Sequence, residues 1–239
     1  MKRVAVLCDV HGNLPALEAV LADPRLLDAE SVVVGGDVVA GPMPRECLDL
    51  LLSLGERAHF LRGNADRFVA ERSPEHGASW CSDELGDERL AIVADWPLTV
   101  ELDVDGLGRV LFVHATLNSD EEILTRITPE DEVAQAFAGV EAGTVVGGHT
   151  HVQFDRRIAG GPRFVNAGSV GIPYEGRRGA FWALLGPDVE LVSTDYDVES
   201  AAAAIRDRGW SESEQVARWL LEPEDPDKVT EFFESARRA

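Results

Sequence analysis

The sequence predicts an α/β fold whose first part is a run of parallel βαβ units and whose later part adds a second sheet. Short β-branched apolar runs alternate with helical stretches as far as about residue 61. Past residue 98 the strands follow one another with turns between them. A hydrophobic content of 45% over 239 residues is enough to bury a sizeable core, so residues 1–239 are expected to form a single domain.

Val4 to Cys8 reads as a buried strand, and Leu14, Leu17, Ala19 and Leu21 then recur at helical spacing, with Pro15 tolerated in the first turn. A second strand, Ser31 to Val34, stops at Gly35-Gly36. A helix from Pro44 through Leu54 leads to a third strand at Ala58 to Leu61. The polar stretch from about Asp66 to Ala94 is helix-prone, with Trp80, Leu85, Leu90 and Val93 as anchors and Pro97 at its end. Its helices are expected over the sheet edge or near the mouth of a site.

Leu98 to Val104 and Arg109 to Val113 read as two strands around the turn Asp105-Gly106-Leu107-Gly108. Thr128-Pro129-Glu130-Asp131 is a helix start, with Thr128 as N-cap, Pro129 at the first helical position and the helix running through Phe137. Strands follow at Thr144 to Gly147, Gln153 to Ile158, Arg163 to Val165, Gly179 to Leu185 and Val189 to Thr194. Helices at about Val198 to Arg208, Glu212 to Leu221 and Pro226 to Arg237 close the chain. These last helices carry Trp210, Trp219, Phe232 and Phe233 at irregular spacing and are expected to pack on the parent sheet. Covering the site or forming a homo-oligomer interface are the alternatives.

A formal charge of -21 argues against a stable nucleic-acid partner and against an anionic membrane surface. A small phosphorylated substrate would need a local positive source, which bound divalent cations supply. Three cysteines, Cys8, Cys47 and Cys81, lie far apart with no Cys-x-x-Cys pair, which fits a reducing cytoplasm. The first strand begins just after Met1-Lys2-Arg3 with no signal-like apolar region, and no run approaches the about eighteen apolar residues of a membrane span.

Groups able to bind a metal cluster at predicted strand ends: Asp9 and His11 after the first strand, Asp37 after the second, Asn64 after the third, His114 after a later one, and His149 and His151 after Gly147-Gly148. Open α/β sheets place their sites in such loops. Taken singly, Asp9 reads as a helix cap, Asn64 as a turn former and His114 as a core histidine. Their order changes that reading.

In sequence the segments are Asp9-Val-His11-Gly-Asn13, Gly36-Asp37-Val-Val-Ala-Gly41, Gly63-Asn64-Ala-Asp66, His114 and Gly147-Gly-His149-Thr-His151. This set resembles the calcineurin-like metallophosphoesterases, especially their small bacterial and archaeal phosphodiesterase branch, over about residues 4–186. Asn166-Ala-Gly168-Ser169-Val170-Gly171 is similar to a glycine-rich turn of that branch. The resemblance implies a four-layer α/β/β/α sandwich of two mixed sheets with metals at one edge. It also implies that Asp9, His11 and His151 hold one divalent ion, that Asn64, His114 and His149 hold the other, and that Asp37 bridges. Asp37, Asn64 and His149 would then be catalytic as well as ligating.

Ions about 3.5–4 Å apart need a carboxylate able to span them, and they acidify a shared water for in-line attack on phosphorus. Imidazole and carboxylate donors suit manganese, iron or zinc. The implied function is a metal-dependent phosphodiesterase acting on small phosphate esters. A nucleotide or dinucleoside polyphosphate hydrolase is the alternative enzyme, and a non-catalytic scaffold on the same fold is the alternative of another class.

The chain departs from the family at three places. Relatives often carry a histidine after the asparagine ligand, where this chain has Ala65, and protein phosphatases carry Asp and Arg where this chain has Ala40 and Gly41. The phosphoprotein-phosphatase reading falls with those residues, while the small-phosphodiesterase reading survives. Asp66 reads first as the N-cap of the next helix and second as a replacement proton donor. Asn13 is expected to fix the first loop, Arg62 to form an ion pair, His59 and His76 to be structural or surface residues, and Cys8 to be a buried strand residue.

Overall fold

The structure, a computed structural model, describes residues 1–238. The chain opens with β1 (Val4–Leu7), α1 (Leu14–Leu21), α2 (Pro24–Leu27), β2 (Ser31–Val34), α3 (Pro44–Leu52) and β3 (Ala58–Phe60). Two helices follow, α4 (Asn64–Ala70) and α5 (Ala78–Ala94), then the hairpin β4 (Thr99–Val104) and β5 (Gly108–Val113). Next come α6 (Glu130–Ala136), β6 (Thr144–Gly147), β7 (Phe154–Arg157), β8 (Arg163–Asn166), β9 (Ala180–Leu185) and β10 (Val189–Thr194). The last three elements are α7 (Val198–Arg206), α8 (Ser213–Leu221) and α9 (Pro226–Arg237).

Two mixed five-stranded sheets result, ordered β10-β9-β1-β2-β3 and β4-β5-β6-β8-β7. In the first, β1, β2 and β3 run parallel while β9 and β10 are antiparallel additions. In the second, β5, β6 and β8 run parallel and β4 and β7 are the antiparallel edges. Each sheet therefore has a parallel centre, and parallel strands direct their loops to one edge.

Side-chain alternation sorts these strands into four layers. Along β1, Val4 and Val6 face the second sheet, where they meet Val110, Phe112, Val146 and Val165. Ala5 and Leu7 face the opposite way, into a cluster with Trp182 of β9 and with Leu17, Val20, Leu48, Leu51 and Ile205 of the helical layer. On the far side, Leu111, Val113, Val145 and Phe164 pack against Val133 and Phe137 from α6 and its C-terminal end. The order is helix, sheet, sheet, helix, as the family resemblance implies. Burying each of these larger apolar side chains contributes about 1.5–3 kcal/mol.

Local chemistry sets most boundaries. Asn13 caps α1, its Oδ1 accepting from Ala16 N at 3.2 Å, and its amide donates to Gly171 O at 2.9 Å, so it fixes the first loop as expected. The helical stretch near 66–94 is real but divided, since α4 ends at Ala70 and α5 is broken internally at Gly86 (φ 72). Two expectations are corrected. Thr128 is not the cap of α6: its hydroxyl is buried against Thr125 N and the Glu234 carboxylate of α9, and the cap position falls to Pro129. Arg62 makes no ion pair among the described residues; its backbone N–H donates to Pro97 O and its Nε is buried without a partner. Cys8, Cys47 and Cys81 are buried free thiols, and no helix among the described residues is long and apolar enough to cross a membrane.

The sheets approach tightly where the β6 loop crosses the β1 loop. A Cβ on Gly148 would lie 2.4 Å from Asp9 Oδ2 and 2.6 Å from Cys8 Cβ, closer than van der Waals contact allows. Gly148→Ala should therefore force the two loops apart and lower stability by about 1–3 kcal/mol, read as a drop in denaturant midpoint with unchanged m-value.

Candidate metal centre

Every residue singled out by the motifs lies at the carboxyl edge of a parallel strand. Asp9 and His11 follow β1, Asp37 follows β2, Asn64 opens α4 after β3, His114 follows β5, and His149 and His151 follow β6. The structure brings all seven together. Asp9, His11 and His151 form one group of candidate ligands, and Asp37, His114 and His149 form another. In each group one ligand atom per residue lies within 4.8 Å of the others. Asn64 joins the second group, its Oδ1 3.1 Å from His114 Nε2. Asp37 stands between the groups, with Oδ2 3.7 Å from His11 Nε2 and 3.4 Å from His114 Nε2.

The backbone is bent to achieve this. Asp9, His11, Asp37, His149 and His151 all have positive φ, between 44° and 69°. Left-handed backbone costs a non-glycine residue about 1–2 kcal/mol, and only where the surroundings over-determine it does it persist. Here the surroundings are backbone hydrogen bonds between loops. His11 N donates to Asp37 O at 2.8 Å, Asp9 N to Gly36 O at 3.0 Å and Gly171 N to Asp9 O at 2.9 Å.

Carbonyl groups orient the imidazoles. His11, His114 and His151 each place Nδ1 on a backbone oxygen, of Ala40 at 3.1 Å, Gly35 at 2.9 Å and Ile172 at 2.7 Å. A carbonyl only accepts, so Nδ1 carries the proton and Nε2 turns towards the cluster. His149 is reversed: its Nε2 meets Glu121 O at 3.2 Å, which leaves Nδ1 as the free nitrogen.

Two contacts call for positive charge. Asp9 Oδ1 is buried with no hydrogen-bond partner, and His11 Nε2 lies 3.2 Å from His151 Nε2. Two lone pairs at that distance repel unless a proton or a metal ion stands at them. Burial alone would lower His114, but the adjacent Asp37 carboxylate outweighs it and holds the imidazole up to about 10. His151 is raised in the same way, with the Asp9 charge overcoming burial. His149 is pushed down to about 4 by burial and by the charge on His114. Asp37 lies well below the usual carboxylate range because the surrounding imidazoles overcome its burial. A bound cation would displace these protons, and the all-oxygen-and-imidazole donor set fits divalent ions.

Some supporting residues were legible and others were not. The 166–171 turn holds the two halves together: Asn166 Nδ2 donates to Thr150 Oγ1 at 3.0 Å, and Ser169 Oγ donates to Asp9 O at 2.8 Å. Asp66 is not an N-cap; it is the third residue of α4, and its carboxylate accepts from Val38 N, Val39 N and Gly63 N at 2.8–3.1 Å. It thus locks the second motif to the third. Burial, and then the Asp37 charge, push it up to about 7. Arg67 clasps Asp120 at 2.9 and 3.1 Å and so steadies the loop that presents Glu121 O to His149. Nothing in the sequence marks that pair, whose members stand 53 positions apart.

A cavity of about 310 Å³ opens from the cluster. Its far walls include Phe68, Tyr174, Trp219 and Phe233, so the C-terminal helices border the site as well as packing on the sheet. Trp210 and Val216 take part in both. Tyr174 stacks on His151 with ring centres 5.2 Å apart, a contact hidden in the sequence although Tyr174 comes three residues after the glycine-rich turn. Exposed His76 also lines the cavity, whereas His59 sits in β3 away from the ligands.

Such a sandwich, with oxygen and imidazole donors meeting at the carboxyl edges of both sheets, defines a metallophosphoesterase architecture. The chain belongs to the calcineurin-like phosphoesterase superfamily, whose domain model matches residues 1–185. It is similar to a metallophosphoesterase from Sphaerobacter thermophilus, at 26% identity and a TM-score of 0.75, over 92% of this chain and 98% of that one. A hypothetical protein from Pyrococcus horikoshii shares the fold, with a TM-score of 0.79 at 22% identity over 94% of this chain and all of that one. An uncharacterised protein of Methanocaldococcus jannaschii is 28% identical over 224 residues, 83% of this chain and 89% of that one.

If the orphaned Asp9 oxygen and the facing imidazoles await cations, divalent metal should stabilise the folded state. Manganese at a hundred times its dissociation constant is expected to add about 2.7 kcal/mol to the unfolding free energy, and chelator to remove it. Equal melting temperatures with and without metal would contradict this.

Proposed function

We propose that the protein is a dinuclear metal-dependent phosphodiesterase acting on small phosphate esters. The observation that carries the reading is the convergence of seven donor groups in two sets with Asp37 between them, and with Asp9 Oδ1 buried without a hydrogen bond, 3.4 Å from His151 Nε2. Asp9, His11 and His151 would hold one divalent ion, Asn64, His114 and His149 the other, and Asp37 would bridge. Manganese, iron and zinc all suit these donors. Two such ions supply an acidified water and positive charge for the phosphate oxygens.

The chain's own residues do the rest. The carbonyls of Ala40, Gly35, Ile172 and Glu121 keep four imidazoles in one tautomer and one orientation. Ala65 N donates to Asp37 Oδ1 at 2.8 Å, which fixes the bridging carboxylate. Gly63 has to be glycine beside it, since a Cβ there would fall 2.1 Å from the same oxygen. The Ala65 side chain lines the cavity where relatives often offer an imidazole, so the chain brings no strong acid to the leaving group from this position. Retention of a competent donor at every ligand position favours an enzyme over a scaffold.

Metal-stripped protein refilled with manganese should hydrolyse bis(4-nitrophenyl) phosphate. Asp37→Asn is expected to reduce kcat/KM by more than the roughly 10–100-fold that changes outside the ligand set cost. Undiminished turnover in this variant, or none in the metal-loaded parent, would reject the two-metal phosphodiesterase. Because acid catalysis contributes about 10²–10⁴-fold, matched alkyl diesters should react far more slowly than aryl ones, and Ala65→His should narrow that gap. Similar rates for alkyl and aryl esters in the parent would show that another group protonates the leaving oxygen.

A further inference from the structure

Beyond the metal ligands, the cavity has an aromatic surface and a single acid. Phe68, Tyr174, Trp210, Trp219 and Phe233 line it, Glu212 is the one carboxylate outside the ligand set, and no Lys or Arg is among the lining residues. The aromatic wall starts at the cluster itself: Tyr174 stacks on His151, and Trp219 meets Tyr174 edge-on at 6.0 Å. A phosphate held at the cluster must therefore lay its ester group along these rings. Phe68, Tyr174, Trp219 and Phe233 are only half-buried, which leaves ring surface open to that group.

Glu212 stands at this wall without an ion-pair partner among the described residues, although Glu214, two positions on, is paired with Arg206 at 2.8 Å. The basic side chains of the lining are imidazoles only, those of His11, His149, His151 and the exposed His76. Arg67, whose guanidinium lies 4.7 Å from the centre of the Phe68 ring, is paired with Asp120 and Glu121 and is not among the lining residues. An alkylated ammonium would find ring faces and a carboxylate, the two partners that such cations bind best. The cavity is thus positive at one end when metal-loaded and cation-attracting at the other.

We propose that the substrate is a zwitterionic phosphate ester: one phosphoryl group, and an alcohol portion that ends in a quaternary or alkylated ammonium seated among Trp210, Trp219, Tyr174 and Glu212. This rests on the phosphodiesterase reading of the cluster. Water is the co-reactant; its oxygen bonds to phosphorus as one P–O ester bond breaks, and its proton ends on the departing oxygen or in solvent.

The test compares two diesters with the same 4-nitrophenolate leaving group on manganese-loaded protein: 4-nitrophenyl phosphorylcholine and its uncharged isostere, 4-nitrophenyl 3,3-dimethylbutyl phosphate. The cationic ester should be favoured on the order of tenfold in kcat/KM, and Glu212→Gln and Trp219→Ala should each shrink that ratio. Equal kcat/KM for both esters, or a ratio untouched by Glu212→Gln, overturns the proposal while the diesterase reading stands. In parallel, tetramethylammonium is titrated into metal-free protein and tryptophan fluorescence is read. Saturable quenching that Glu212→Gln weakens supports the ammonium site even if no ester is cleaved, a result that would sink only the phosphodiesterase reading. Absence of saturable quenching overturns the ammonium site whatever the activity.

Discussion

Asp9, Asp37 and four imidazoles share a buried volume in which their lone pairs point at one another. Such a gathering is electrostatically untenable unless positive charge fills it, and the rest of the structure serves to hold the gathering in place. Five of the ligand residues accept left-handed backbone, and Asp and His are among the residue types that tolerate it best. The strain is sustained because Asp66, Asn166 and Ser169 tie neighbouring loops to each other through buried hydrogen bonds. The same carboxylates raise the basicity of His114 and His151, as the charge on Asp37 and Asp9 outweighs burial.

This constraint also explains how a chain of net charge -21 could receive a phosphate ester. The acidic surface repels anions at long range, but divalent ions held by the candidate ligands would reverse the sign locally. The protein adds no basic side chain other than imidazole to the cavity and instead lines it with rings from elements far apart in sequence. On the proposed reading, recognition of the phosphate and recognition of its organic group would be separate tasks, one given to the sheet edges and the other to helices.

Continuous apolar runs made β1, β2, β6 and β9 legible, because every residue of these strands is buried. The misreadings share a different cause. Thr128 and Asp66 both look like caps locally, but each is claimed by a distant partner, Glu234 in one case and the Val38–Val39 backbone in the other. Buried polar groups take whatever satisfies them, and a nonlocal partner overrides the local habit. The expected place of Arg62 on a strand before the third motif suggests an ion pair, yet in the fold its backbone N–H donates to Pro97 O and its Nε is buried without a partner.

By itself the sequence determined the donor types, their order and their placement after apolar strands, because a strand followed by a glycine-bounded Asp, Asn or His is a local pattern. Tertiary structure alone decided how they pair. Asp9 reaches His151 only because β1 and β6 belong to facing sheets, and Glu121 reaches His149 only because Arg67 pins its loop. The wall of Tyr174, Trp219 and Phe233 likewise arises from the return of α8 and α9 across the site, and their irregular spacing gave no sign of a shared face. Ligand identity follows from covalent order, whereas cavity shape follows from packing between segments more than a hundred residues apart, which no local pattern encodes.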